Sequence, residues 1–274
     1  MSTLYPIRLP LDPAGNRVVH CYVVQAETLC LVDSGTALQY GLIEAGLAEI
    51  SKTPADIDLI INTHAHLDHS GGNGRFAKTF DTPIQFHRKA ARWIENMALY
   101  KAERSNPMFD KLHGGSTTAT RYLEDGDEID LGNIMLKVIY LPGHSDGQIG
   151  LFCEAEGWFL AADSIPPIHG RPVYTDVAKT LATIDKIERI AGLTALYHSH
   201  HDTPFVGDAI GERLQMGREF VKKVAALVQE AMTDNPAGDD AAHTSYCLEQ
   251  LGFVGGPVSP MLIHSIKAHK AHSR

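Results

Sequence analysis

Apolar residues along this chain fall into two kinds of pattern. Short dense runs rich in Val, Ile, Leu, Tyr and Phe, broken by Gly, Asp or Pro, predict strands. They concentrate in two blocks: VVHCYVV followed by TLCLVDSG (residues 18–35), and IMLKVIYLPG followed by QIGLFCEAEGWFLAADS (residues 134–164). Each block contains a hairpin-like turn and ends at an Asp followed by Ser, a weak internal repeat. Between and after them the spacing changes to that of helices. ALQYGLIEAGLAEI, GGNGRFAKTF, RKAARWIENMALYKAE and KTLATIDKIERI each predict a helix. DIDLIINTH, TPIQFH and TALYHSHHD predict single buried strands.

Strands alternating with helices, plus two antiparallel hairpins, predict an α/β fold of four layers, an αβ/βα sandwich. A long helical pattern follows over residues 208–232, then DNPAG, then shorter helical pieces. The expected organisation is a domain over residues 1–207 with a C-terminal helical extension, 208–274, packed on it. Whether that extension covers a site or mediates a homodimer is left open.

Composition removes several classes. The 274 residues are 44% hydrophobic and 21% charged, as expected of one globular unit with a substantial core. No uncharged apolar stretch of about 18 residues predicts a membrane span, and the first residues do not read as a secretory signal. The expected compartment is the cytoplasm. A formal net charge of −9 argues against nucleic acid as a partner, leaving a small-molecule substrate. The four cysteines are scattered, three of them in strand-like runs, and predict small buried hydrophobes.

The candidate chemistry sits at the ends of predicted strands. THAHLDH (residues 63–69) follows the strand DLIIN directly. His64 and His66, two apart in extended chain, point the same way. Asp68 and His69 come after the chain turns and face a second point, so one short loop serves two metal ions. Further donors follow other strands: His144 in LPGHSDG, Asp163 in FLAADS, and His200 and His201 in ALYHSHHD. Imidazole and carboxylate donors suit zinc first, with iron and manganese also compatible.

With its following Ser-Gly-Gly and the ordered downstream His, Asp and His, this H-x-H-x-D-H motif resembles the metallo-β-lactamase fold superfamily over roughly residues 18–207. The resemblance implies two divalent metal ions. One is held by His64, His66 and His144, the second by Asp68, His69 and a late histidine, with Asp163 bridging. A hydroxide between the metals attacks an ester-like bond, and Asp68 passes its proton to the leaving group. For the late histidine, the spacing to Pro204 and Gly207 favours His200, with His201 the alternative. Asp33, in LVDSG, matches the family's early Asp-x-Gly turn and implies a supporting role.

A retained Asp163 resembles the thioesterase, lactonase and phosphoesterase branches. The segment after it has no nearby Tyr, which disfavours the lactonases. Residues 94–118 interrupt the sandwich and predict a lid whose Met and Tyr content hints at an apolar substrate. Two alternatives remain: a mononuclear-iron oxygenase of the persulfide dioxygenase kind, and a non-enzymatic member of the fold. His20, His87, His169, His198 and Tyr174 are assigned structural roles, and His113, His243, His264, His269 and His272 surface positions.

Overall fold

The computed structural model describes residues 4–104, 107–167, 170–255 and 258–272. Its strands form two six-stranded sheets. The first runs in spatial order β1 (Leu4–Pro10), β2 (Val18–Val24), β3 (Cys30–Val32), β4 (Leu59–Asn62), β5 (Ile84–His87) and β6 (Arg121–Leu123). β1 to β3 pair antiparallel and β3 to β6 parallel. The second contains β7 (Glu128–Asp130), β8 (Met135–Tyr140), β9 (Ile149–Cys153), β10 (Trp158–Ala162), β11 (Ala195–His198) and β12 (Phe205–Val206), in the order β12-β11-β10-β9-β8-β7.

The predicted strands are present, and β1, β6, β7 and β12 are additional. β1 escaped notice because YPIRLP carries two prolines. They are tolerated because β1 is an edge strand. The predicted helix over RKAARWIENMALYKAE divides instead into a single turn, then α4 (Ala91–Ile94) and α5 (Met97–Glu103). The break is at Asn96, whose side chain accepts the Leu99 backbone N–H at 2.9 Å and starts a new helix.

The chain divides into two compact units. The first, residues 1–140, 147–162 and 192–205, contains both sheets up to Phe205. Strand β2 shows why it is buried on both sides. Val19, Cys21 and Val23 face a core with Ile43 and Leu47 of α1 (Tyr40–Glu49) and Phe76 of α3 (Asn73–Phe80). Tyr22 and Val24 alternate to the other side, into a core with Leu136, Val138, Leu151 and Leu160 of the second sheet. This unit is therefore helix, sheet and sheet in layers. It also carries α2 (Leu67–Ser70) and α6 (Phe109–Leu112).

The second unit comprises residues 141–146, 163–191 and 206 onward. It holds α7 (Val177–Glu188), α8 (Asp208–Asp234), α9 (Asp240–Gln250) and α10 (Pro260–His272). On α8, Phe220, Val224, Leu227, Val228 and Ala231 recur at helical spacing, and they pack with Tyr174, Val177, Cys247 and Ile266. Two histidines expected at the surface are part of this unit's interior: His243 is 4% and His269 1% exposed. They lie on the inward faces of α9 and α10, where a polar side chain is kept only if it is hydrogen-bonded. All four cysteines are buried and unpaired with one another. Among the described residues, no helix is long and apolar enough to cross a membrane.

Candidate metal centre

Strand β4 ends at Asn62, and the next seven residues turn sharply through α2 and back under the sheet. The turn is possible because Gly71, Gly72 and Gly74 follow. A Cβ on Gly72 would overlap the Ser34 carbonyl oxygen, and one on Gly74 the Gly114 carbonyl. The carbonyl of His69 is held by the Ser34 backbone N–H at 2.7 Å and by the Asn62 amide at 3.2 Å. The loop is thus fixed by a backbone bond and the Asn62 side chain, neither of them a metal donor.

In the first unit, five of the predicted donors come together. The ring nitrogens His64 Nε2 and His66 Nδ1 face each other at 3.1 Å. The His64 and His69 rings lie 4.0 Å apart between centroids, and those of His69 and His200 lie 5.8 Å apart. Asp68 Oδ2 stands 3.9 Å from His69 Nε2 and 3.8 Å from His200 Nε2. These three form a set able to hold one cation. Two ligands about 2.0–2.1 Å from a tetrahedral zinc stand about 3.3–3.4 Å apart, so the spacing needs only a small contraction. In the second unit, His144 Nε2 faces Asp163 Oδ2 at 3.6 Å.

The nitrogens turned away from these facing atoms are engaged in a way that fixes the tautomers. Asp33 sits behind His69 and accepts from its Nδ1 at 2.8 Å. The same carboxylate accepts from the Thr63 hydroxyl at 2.8 Å and the Thr63 backbone N–H at 2.8 Å. With its proton given to Asp33, the Thr63 oxygen accepts from His64 Nδ1 at 3.1 Å. His144 Nδ1 donates to the Val173 carbonyl at 2.7 Å, and His200 Nδ1 donates to the Val18 carbonyl. A carbonyl only accepts, so each of those Nδ1 atoms carries the proton and each Nε2 presents its lone pair. Four imidazoles prepared in this way are what metal ligation requires.

His201 is arranged otherwise. Its Nδ1 pairs with the Thr203 carbonyl at 2.7 Å, and its ring packs on Phe205. His20 donates to the Ser199 carbonyl at 3.0 Å and so braces the segment carrying His200. His87 stacks on Tyr140, and the His198 ring accepts the His200 backbone N–H at 3.1 Å. His169 lies outside the described residues.

In the segment 94–118, Met97, Tyr100 and Phe109 are buried with Leu67 in a small core of their own, while Met108 is exposed. What the segment brings to the site is Arg104, unremarked in the sequence, whose guanidinium lies 3.0 Å from His66 Nε2 and over the Trp93 ring at 4.3 Å. Arg104 can only donate. His66 Nε2 therefore accepts, and the ring proton sits on Nδ1, toward His64.

The model of the metallo-beta-lactamase superfamily matches residues 14–200. A hydroxyacylglutathione hydrolase of Bdellovibrio bacteriovorus is 26% identical over 149 residues, 54% of this chain and 51% of that one. The acyl-coenzyme A thioesterase MBLAC2 of Homo sapiens is 28% identical over 157 residues, 50% of this chain and 54% of that one. The chain thus spans about half the length of these relatives. A crystal structure of a metallo-beta-lactamase family protein of Thermus thermophilus superposes with a TM-score of 0.78 at 21% identity, covering 98% of this chain and 92% of that chain.

Proposed function

The chain belongs to the metallo-β-lactamase superfamily, and on that premise we propose that it is a dinuclear metal-dependent hydrolase of an ester-like bond, with thioesters the foremost substrate class. His64, His66 and His144 would hold one ion; Asp68, His69 and His200 would hold the other; Asp163 would serve both. Divalent ions held there supply Lewis acidity and lower the pKa of a water, which makes a nucleophile at neutral pH without a serine or cysteine.

The chain's own residues do the rest. Thr63, Asp33, Val173 and Val18 keep the imidazole protons on the Nδ1 atoms. Asp68 is partly exposed, unlike the buried His64 and His69, and carries a proton to the departing group. Arg104 bears a positive charge at His66 and favours a substrate with an anionic part. The relatives' names point the same way, since acyl-glutathione and acyl-coenzyme A are both thioesters with anionic carriers.

The observation that carries this reading is the donor set: four imidazoles, His64, His69, His144 and His200, whose Nδ1 protons are engaged by Thr63, Asp33, Val173 and Val18, so that the lone pair of each sits on Nε2. A panel of thioesters, lactones and phosphodiesters, assayed with and without chelator, tests it. Chelator-sensitive thioester cleavage is expected. One bound iron with oxygen uptake, or turnover indifferent to chelator, would replace it with another reading.

A further inference from the structure

Two of the proposed ligands, His144 and Asp163, belong to the second unit, whose bulk is the helical extension beyond the family match. Three contacts within that unit connect the extension to them. Arg213 of α8, 4% exposed, donates from one guanidinium nitrogen to the Ile165 carbonyl at 3.0 Å and the Pro166 carbonyl at 2.8 Å. Those carbonyls lie two and three residues after Asp163. Ser265 of α10 accepts the Tyr174 backbone N–H at 3.1 Å. One turn further along α10, His269 Nε2 shares a hydrogen bond with the Tyr174 hydroxyl at 2.6 Å. Tyr174 is 1% exposed, and the residue before it is Val173, whose carbonyl fixes His144.

We infer that α8 and α10 are positioning elements of the metal centre: Arg213 sets the loop that presents Asp163, and Ser265 with His269 clamps Tyr174 so that the Val173 carbonyl orients His144. The inference rests on the metal reading above. A buried guanidinium is costly to desolvate, and burial pushes that of Arg213 down to about 10. A cation kept in such a place to hold two backbone carbonyls fixes a loop more rigidly than an apolar side chain can. Likewise, Tyr174 is bonded through both its backbone and its side-chain end, leaving Val173 little freedom to turn its carbonyl from His144. The extension is on this account part of the site's construction, although it contributes no ligand.

The test measures metal affinity by chelator competition and metal content by elemental analysis, on full-length protein with folding checked by circular dichroism. Tyr174→Phe combined with Ser265→Ala removes both clamps yet leaves the apolar packing, so it folds. Supporting contacts of this kind alter metal affinity by about 10–100-fold, and that loss is expected here and in Arg213→Met. His269→Gln, which keeps a hydrogen-bond partner for the Tyr174 hydroxyl, should stay near wild type, while His269→Leu should not. Lys267→Gln, exposed on the same helix, should change nothing. Wild-type affinity in the folded double variant would overturn the inference, whatever Arg213→Met does. Wild-type protein that binds no metal at all would overturn the functional reading instead.

Discussion

Acid should loosen the second unit through one buried imidazole. His269 is 1% exposed and hydrogen-bonded to the Tyr174 hydroxyl; burial, with a smaller contribution from His272, pushes its pKa down from 6.5 to about 4, so it is neutral in the folded protein at neutral pH. The unfolded chain binds the proton at the ordinary value and the folded chain does not. Folding therefore loses stability as pH falls from about 6.5 toward about 4, and the full contribution is present above that window. At about pH 5 the unfolded imidazole is mostly protonated and the folded one mostly not, which corresponds to about 2 kcal/mol of lost stability relative to about pH 7.5. Urea unfolding of wild type and His269→Gln at both pH values, with chelator present so that metal release adds nothing, isolates the effect. Glutamine does not titrate, so the wild type should lose about 2 kcal/mol more than the variant over that interval. Equal losses would mean that His269 is solvated or already protonated, and the packing of α10 described above would be wrong.

Four further outcomes follow. Asp68→Ala and His144→Ala should each abolish turnover and lower bound metal, measured by elemental analysis; either variant with full metal and rate would remove that residue from the site. Asp33→Asn should weaken metal binding about 10–100-fold in chelator competition, because His69 and Thr63 both donate to that carboxylate. His201→Ala should leave activity nearly unchanged while His200→Ala removes it, as only His200 faces Asp68. Arg104→Gln should tighten metal binding several-fold in the same competition assay. The variant removes a cation and frees His66 to shift its proton from Nδ1 to Nε2.

How much of this was legible in the sequence depended on where the information lay. THAHLDH after an apolar strand marked the main loop because metal donors at a strand end have few other uses. Most strands of both sheets were legible as dense apolar runs; β6, β7 and β12, of two or three residues each, were too short to stand out, and β1 was missed because its prolines argue against a strand everywhere except at an edge. His200 could be separated from His201 only in the fold, where one ring turns toward Asp68 and the other toward Thr203. The supports for His144 and His200 are backbone carbonyls of Val173 and Val18, which no side-chain pattern announces. Met97 and Tyr100 suggested an apolar pocket, but composition cannot say whether apolar side chains meet a ligand or each other. His269 was misplaced at the surface for the reverse reason: α10 has a mixed sequence, and its inward face is set by what α8 and α9 present to it.

The central claim is that imidazoles and carboxylates from separate strand ends hold a pair of divalent ions. Elemental analysis of the purified wild-type protein, after equilibration with zinc and removal of loosely held metal, tests it most directly. About two equivalents per chain are expected, falling in His64→Ala and Asp68→Ala. Zinc no higher than in a variant lacking all of these donors would contradict the account.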